Sequence, residues 1–182
     1  MTVDTDLVRT AQAGDEAAVE ALFALAWPQA YRIAFAITGH RAAAEDATQD
    51  AFLNAWRGLS GLRRPESFVS WLWRLVGREA RRAVRSRREW PTDDLTAEVP
   101  TPTRDPDLAQ ALASLSETDR RLVTLAYGLE LSSAEIGRVL GIPSPTVRFR
   151  LGRIRARLRR DLGETYPVGD TLSVSTEKGK GR

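Results

Sequence analysis

The sequence predicts an all-α protein of two small helical domains joined by a flexible linker, the second a four-helix domain with a helix-turn-helix. Three observations carry this. Apolar residues recur at helical spacing, as Val147, Leu151, Ile154 and Leu158 do at i, i+4, i+7 and i+11. Between residues 89 and 107 the text changes to EWPTDDLTAEVPTPTRDPD, whose four prolines and single basic residue, Arg104, mark a linker. Charge is also segregated along the chain beneath a net value of only +3. Residues 1–56 hold eight acids against Arg9, Arg32 and Arg41, whereas residues 63–88 hold nine arginines against Glu66 and Glu79. Surfaces of opposite sign imply separate tasks.

The first domain spans residues 1–88. Asp4 or Thr5 opens a short helix that Gly14 stops, and Asp15 starts the next. That second helix is apolar enough for the centre of a bundle, with Val19, Leu22, Phe23, Leu25, Ala26, Tyr31, Ile33, Ala34, Phe35 and Ile37. Pro28 is expected to kink or divide it, because proline removes one backbone bond and clashes with the preceding turn. Gly39 ends it. His40, the sole histidine, reads as a turn or capping residue rather than a base.

The segment 41–57, RAAAEDATQDAFLNAWR, puts Ala44, Thr48, Ala51, Phe52 and Ala55 on a buried side. Asp46, Asp50 and Asn54 share a row with Gln49 and Leu53 beside them. Either Glu45 and Asp46 simply complement the helix dipole near its N-terminus, or the row is a surface for docking a protein. Residues 58–66 form a loop, and Ser67 caps a helix reaching Arg88. Its Arg74, Arg78, Arg81, Arg85 and Arg88 fall on one stripe, as a phosphate backbone requires. Trp73 is placed off the apolar face, where it either stacks on an unpaired base or packs on a neighbouring helix. Gly77 weakens this helix by about 1 kcal/mol relative to alanine.

The linker's nineteen residues at about 3.1 Å each span roughly 59 Å. The second domain covers residues 108–162, with Asp105 and Pro106 opening its first helix and Ser116 with Asp119 the next. Ser132 and Glu135 form a capping box, and Gly141-Ile142-Pro143 breaks that helix. Ser144 is expected as the N-cap of the last helix and Pro145 as its first residue. Arg148, Arg150, Arg153, Arg155, Arg157, Arg159 and Arg160 load this helix, with no acid between 144 and 160. Such a helix is either a solvated face or, because like charges repel without a partner, a seat for a polyanion, with nucleic acid the default. Two helices across a tight turn, the second arginine-rich, form the pattern that enters a major groove. Residues 163–182, rich in Gly, Ser and Thr, are expected to be disordered.

The absence of cysteine excludes disulfides and thiolate metal sites. No histidine cluster, phosphate-cradling loop or nucleophile-base pair points to catalysis, so no enzyme activity, cofactor or metal is expected. A nuclease using Glu45, Asp46 and Asp50 would rest on carboxylates alone. The start MTVDTDLVRT lacks a basic and an apolar signal region, and no apolar run reaches ~18 residues. A cytoplasmic protein without membrane insertion is expected.

The stretches AEDATQDAFLNAW at 44–56, SFVSWLWRLVGREARRAVRSRR at 67–88 and LSETDRRLVTLAYGLELSSAEIGRVLGIPSPTVRFRLGRIRARL at 115–158 together resemble the extracytoplasmic-function (ECF) sigma factors of bacterial RNA polymerase. The resemblance covers residues 5–162 and implies a subunit that binds core polymerase, recognises promoter DNA and helps melt it. It assigns Asp46, Gln49, Asp50 and Asn54 to polymerase docking. It assigns Ser60, Arg63 and Arg64 of the loop, with Trp73, Arg74, Arg78, Arg81 and Arg85, to the -10 element. Ser144, Thr146, Arg148, Phe149, Arg150 and Arg153 lie where the family reads the -35 element, and arginine suits this by pairing bidentately with guanine. Family members are often held by an anti-sigma partner covering the same surfaces. Three positions depart from the family's usual text: Arg78 replaces an asparagine, Gly77 an arginine and Phe149 a small serine. Phe149 either meets a thymine methyl or packs. A stand-alone helix-turn-helix regulator using residues 107–162 is the alternative, and it leaves 41–88 unexplained.

Overall fold

The computed structural model describes residues 3–88 and 106–162. Among these it contains eight α-helices joined by short turns and no strand, as the periodicity requires. They are α1 (Thr5–Gln12), α2 (Glu16–Thr38), α3 (Arg41–Gly58), α4 (Phe68–Arg88), α5 (Pro106–Ala113), α6 (Glu117–Val123), α7 (Ser133–Leu140) and α8 (Ser144–Leu162). Because α5 begins at Pro106, the last two residues of the expected linker are helical. The rest of that linker and the expected disordered tail lie outside the described residues.

In the first group α2, α3 and α4 pack on one another, and α1 lies against α2. The Asp4 carboxylate accepts from the Asp6 N–H and Asp15 from the Ala18 N–H, so each helix starts where a carboxylate satisfies an orphan donor. Small side chains let α2 and α3 approach: Ala26, Ala30 and Ala34 on one, Ala44, Ala47, Ala51 and Ala55 on the other, all buried. Pro28 does not divide α2. It is exposed, and so is Ala24, whose carbonyl loses its partner, so the cost of the missing bond is small on this solvent-facing side. Leu25, expected in the core, is 50% exposed. His40 caps α3, its Nδ1 accepting from the Ala43 N–H at 3.4 Å.

Entry to α4 differs from expectation. A 3-10 turn over Pro65–Ser67 leads into Phe68, and the Ser67 hydroxyl donates to the Arg64 carbonyl at 2.6 Å rather than capping the helix.

In the second group α5, α6 and α7 all pack on α8. Ser116 caps α6, accepting from the Asp119 N–H at 3.1 Å, and Arg120 donates to the Ala113 and Leu115 carbonyls at 2.9 and 3.2 Å, which ties α5 to α6. A π-helical turn at Thr124–Gly128 follows α6. The Ser132–Glu135 capping box forms as expected, and Gly141 closes α7 at φ 68°, a left-handed conformation that favours glycine. Ser144 is already the first helical residue of α8: the Thr146 and Val147 N–H groups both reach the Pro143 carbonyl, so the helix starts one residue earlier than the capping pattern suggested. Finally, α7 packs against α4, and the Arg32 guanidinium of α2 donates to the Gly128 carbonyl at 3.1 Å. No helix of the described residues is long and apolar enough to cross a membrane.

Candidate nucleic-acid and protein interfaces

The orientation of α8 follows from its apolar row. Val147, Leu151, Ile154 and Leu158 are buried, which turns Arg148, Phe149, Arg150 and Arg153 outward on the helix's early turns. Ser144 and Thr146 are half-buried at its start. Phe149 is 67% exposed, so of its two readings packing within the chain is not the one realised. Not every arginine faces outward freely: Arg157 donates to the Ser114 carbonyl and hydroxyl at 3.1 and 3.3 Å and lies 3.6 Å from Asp161. Arg150, Arg153, Arg157 and Arg160 share a groove of about 550 Å³ with Ser116 and Thr118 at the start of α6. Those two hydroxyls have no signal in the sequence, because only the fold brings α6 beside α8. On the domain's other side, burial pushes the Tyr127 phenol above its usual range, against the opposing charge of Arg155.

On α4, Arg74, Arg78 and Arg85 are exposed, as a phosphate-holding stripe demands. Arg81 is not. It is half-buried, donates Nη1 to the Val139 carbonyl of α7, and burial pushes its guanidinium below the usual value. Trp73 is a clear correction: at 1% exposure it lies in the core and presents no face to a base. Its spacing to Val76 and Ala80, i+3 and i+7, places it on the buried row rather than beside the arginines.

Glu79 was missed as a site residue. It is 4% exposed, receives Arg78 at 2.8 Å and the Asn54 amide at 3.3 Å, and has Arg82 at 3.7 Å. The signal was present: Glu79 stands seven residues after the buried Leu72 and three after Val76, an acid on an apolar row. A buried carboxylate needs this degree of pairing.

Between α3 and α4, Ser60, Arg63 and Arg64 are exposed in the loop. Arg64 pairs with Glu66 at 2.9 Å, and a backbone hydrogen bond, then Arg64, pull the Glu66 carboxyl below its usual range. Gln12, at the end of α1, donates to the Leu59 and Leu62 carbonyls at 3.0 and 2.7 Å and so holds the loop. Nothing local in the sequence connects residues that far apart.

On α3, Asp46, Gln49 and Asp50 are exposed together, whereas Asn54 is half-buried and engaged by Glu79. The dipole explanation for Asp46 weakens, since no acid stands in the first turn of α3 and Glu45 is paired with Arg41 at 3.3 Å. The same face carries two exposed apolar side chains, Leu53 at 48%, which the spacing already set beside the row, and Trp56 at 63%, which the sequence pattern did not mark. Trp27, 37% exposed, leans on Phe52 with ring centroids 5.1 Å apart. An anionic row ending in an exposed tryptophan is suited to a protein partner.

Two stretches of the chain match known protein families. Residues 22–89 match the family Sigma-70 region 2, and residues 106–158 match Sigma-70, region 4. The ECF RNA polymerase sigma factor SigM of Mycobacterium tuberculosis is 32% identical over 166 residues, which cover 88% of this chain and 85% of that protein. The probable RNA polymerase sigma factor RfaY of Xanthomonas campestris pv. campestris is 31% identical over 163 residues, 81% of this chain but only 40% of RfaY. Among solved structures, CnrH in complex with the cytosolic domain of CnrY matches at TM-score 0.61 and 25% identity, over 87% of this chain and 96% of that one. The sigma factor RpoE of Bartonella quintana, in complex with the anti-sigma factor NepR, shares the fold at TM-score 0.59 and 22% identity, over 81% of this chain and 98% of that one. On the strength of the SigM match and of both sigma regions in order, the chain belongs to the family of ECF RNA polymerase sigma factors.

Proposed function

We propose that this chain joins core RNA polymerase through the α3 row and recognises a promoter at two places, without catalytic chemistry of its own. Asp46, Gln49 and Asp50, extended by Leu53 and Trp56, dock on the polymerase. Asn54 acts from behind them through its bond to Glu79. Arg148, Phe149, Arg150 and Arg153 at the start of α8 meet the -35 element, with Ser144 and Thr146 placed for backbone phosphates at the helix start. Ser60, Arg63 and Arg64 of the loop, with Arg74, Arg78 and Arg85 of α4, hold the -10 element as it opens. On this assignment residues 1–88 form the polymerase and -10 unit, and residues 106–162 the -35 unit.

The observation that carries this reading is the pairing of two arginine-faced helices, α4 and α8, with a separate anionic row on α3. A stand-alone regulator would need only α8. RpoE of Bartonella quintana was captured with the anti-sigma factor NepR, and a partner of that kind is proposed here for the same exposed surfaces. Run-off transcription with purified core polymerase, on a fragment from upstream of the chain's own gene, tests the proposal. Initiation that depends on the added chain supports it. Tight binding of duplex DNA without polymerase, and no initiation, would favour the regulator instead.

A further inference from the structure

Phe149 is, at 67%, the most exposed large apolar side chain among the described residues. A single exposed ring is ordinary on a protein surface, but the place of this one is not. It stands two residues from both Val147 and Leu151, which are buried, so it points directly away from the core of its domain. Arg148 and Arg150 lie about a quarter of a turn to either side of it, and Arg153 one turn on, all three exposed. The centre of the outward face is therefore apolar and its flanks are cationic. Pro145, exposed one turn before Phe149, adds no donor to that centre line.

Gly152 lies beside the ring, three residues further along α8. Glycine weakens a helix interior, and two others in this chain are explained by what packs on them. A Cβ on Gly77 would collide with the Val139 carbonyl oxygen of α7, and one on Gly137 would come within 2.7 Å of the Ile142 carbonyl oxygen. A Cβ on Gly152 would meet nothing within 4 Å. No neighbour in the chain requires this glycine, and its effect is to leave the space beside the Phe149 ring open to close approach from outside.

A phenyl ring has no hydrogen bond to offer the donors and acceptors on the base edges of a major groove. What it meets there is the C5-methyl of thymine, the apolar group of that groove, while arginines on its flanks reach the phosphates. We propose that Phe149 is a specificity-determining residue that reads a thymine methyl, with Gly152 leaving that methyl room against the ring. The inference rests on the -35 assignment of α8 and names the base that the element must carry. No acid stands between residues 144 and 160, so this face suits a nucleic acid better than a protein. Because the contact is apolar, it selects among sequences without adding to the salt dependence, which the arginines set.

In the test, the chain joined to core polymerase selects bound duplexes from a randomised pool. Each thymine of the enriched upstream element is then replaced singly by deoxyuridine, which lacks only the methyl. At one position the replacement is expected to weaken binding about fourfold, the loss of one buried methyl, and by the same factor at low and high salt. Phe149→Ser is expected to bind the thymine and uracil duplexes alike, and the smaller apolar Phe149→Leu to keep part of the difference. Since the ring is exposed, both variants fold and dock, as circular dichroism and a pull-down with core enzyme will verify. No loss at any position in the parent, or an equal loss in Phe149→Ser, overturns the methyl reading and leaves the ring to a protein partner. A pool from which nothing is enriched overturns the -35 assignment itself and this inference with it, a failure that the enrichment step alone registers.

Discussion

Glu79 links two surfaces through one carboxylate. It holds the Asn54 amide from α3 while drawing Arg78 toward the helix. Both arginine partners are more than half exposed, so they rehydrate if it is lost. Glu79→Ala is therefore expected to destabilise the chain by about 1–3 kcal/mol, mainly through the unsatisfied Asn54 amide and the void left behind, as urea denaturation will show. Trp73 sets a harder limit. At 1% exposure, its truncation to alanine should cost about 3–5 kcal/mol, while Trp73→Phe keeps most of the packing; a thermal melt that barely moves for the alanine variant would contradict the buried placement. Spacing alone carried enough information to put both residues inside. The arginines around them obscured it, because a charged neighbourhood reads as a surface until the partner helix is in view.

At the scale of the helix, α8 and α3 make separable predictions. Replacing Arg148 and Arg153 with alanine should weaken promoter binding and flatten its salt dependence, by a slope of about 0.9 for each phosphate that is no longer neutralised. Polymerase binding should persist, and a pull-down with core enzyme will check it. Reversing Asp46 and Asp50 to arginine, or truncating Trp56, should do the opposite: weaker core binding, unchanged far-ultraviolet circular dichroism and an intact α8. Helix limits were largely readable, since caps such as Ser132 with Glu135 and stops such as Gly141 act within a single turn. The start of α8 was misplaced by one residue because Pro143 lends its carbonyl to the first donors, leaving Ser144 inside the helix. Pro28 misled in the other direction, since its cost depends on which side faces water.

For the molecule as a whole, the helical class, the two groups and the division of charge were legible, because each depends on composition and period. How the groups meet was not. The approach of α7 to α4 depends on backbone atoms of residues far apart in sequence, and no side-chain pattern records it beyond one unexplained glycine. The same holds for Gln12, whose amide grips two carbonyls of the loop that carries Ser60, Arg63 and Arg64. That small grip makes the opening helix a brace: on the proposed assignment, a segment that holds no DNA itself sets how stiffly the loop is presented to the opening promoter. Fusions or cuts at the amino end would then dull strand opening while both arginine helices kept their grasp.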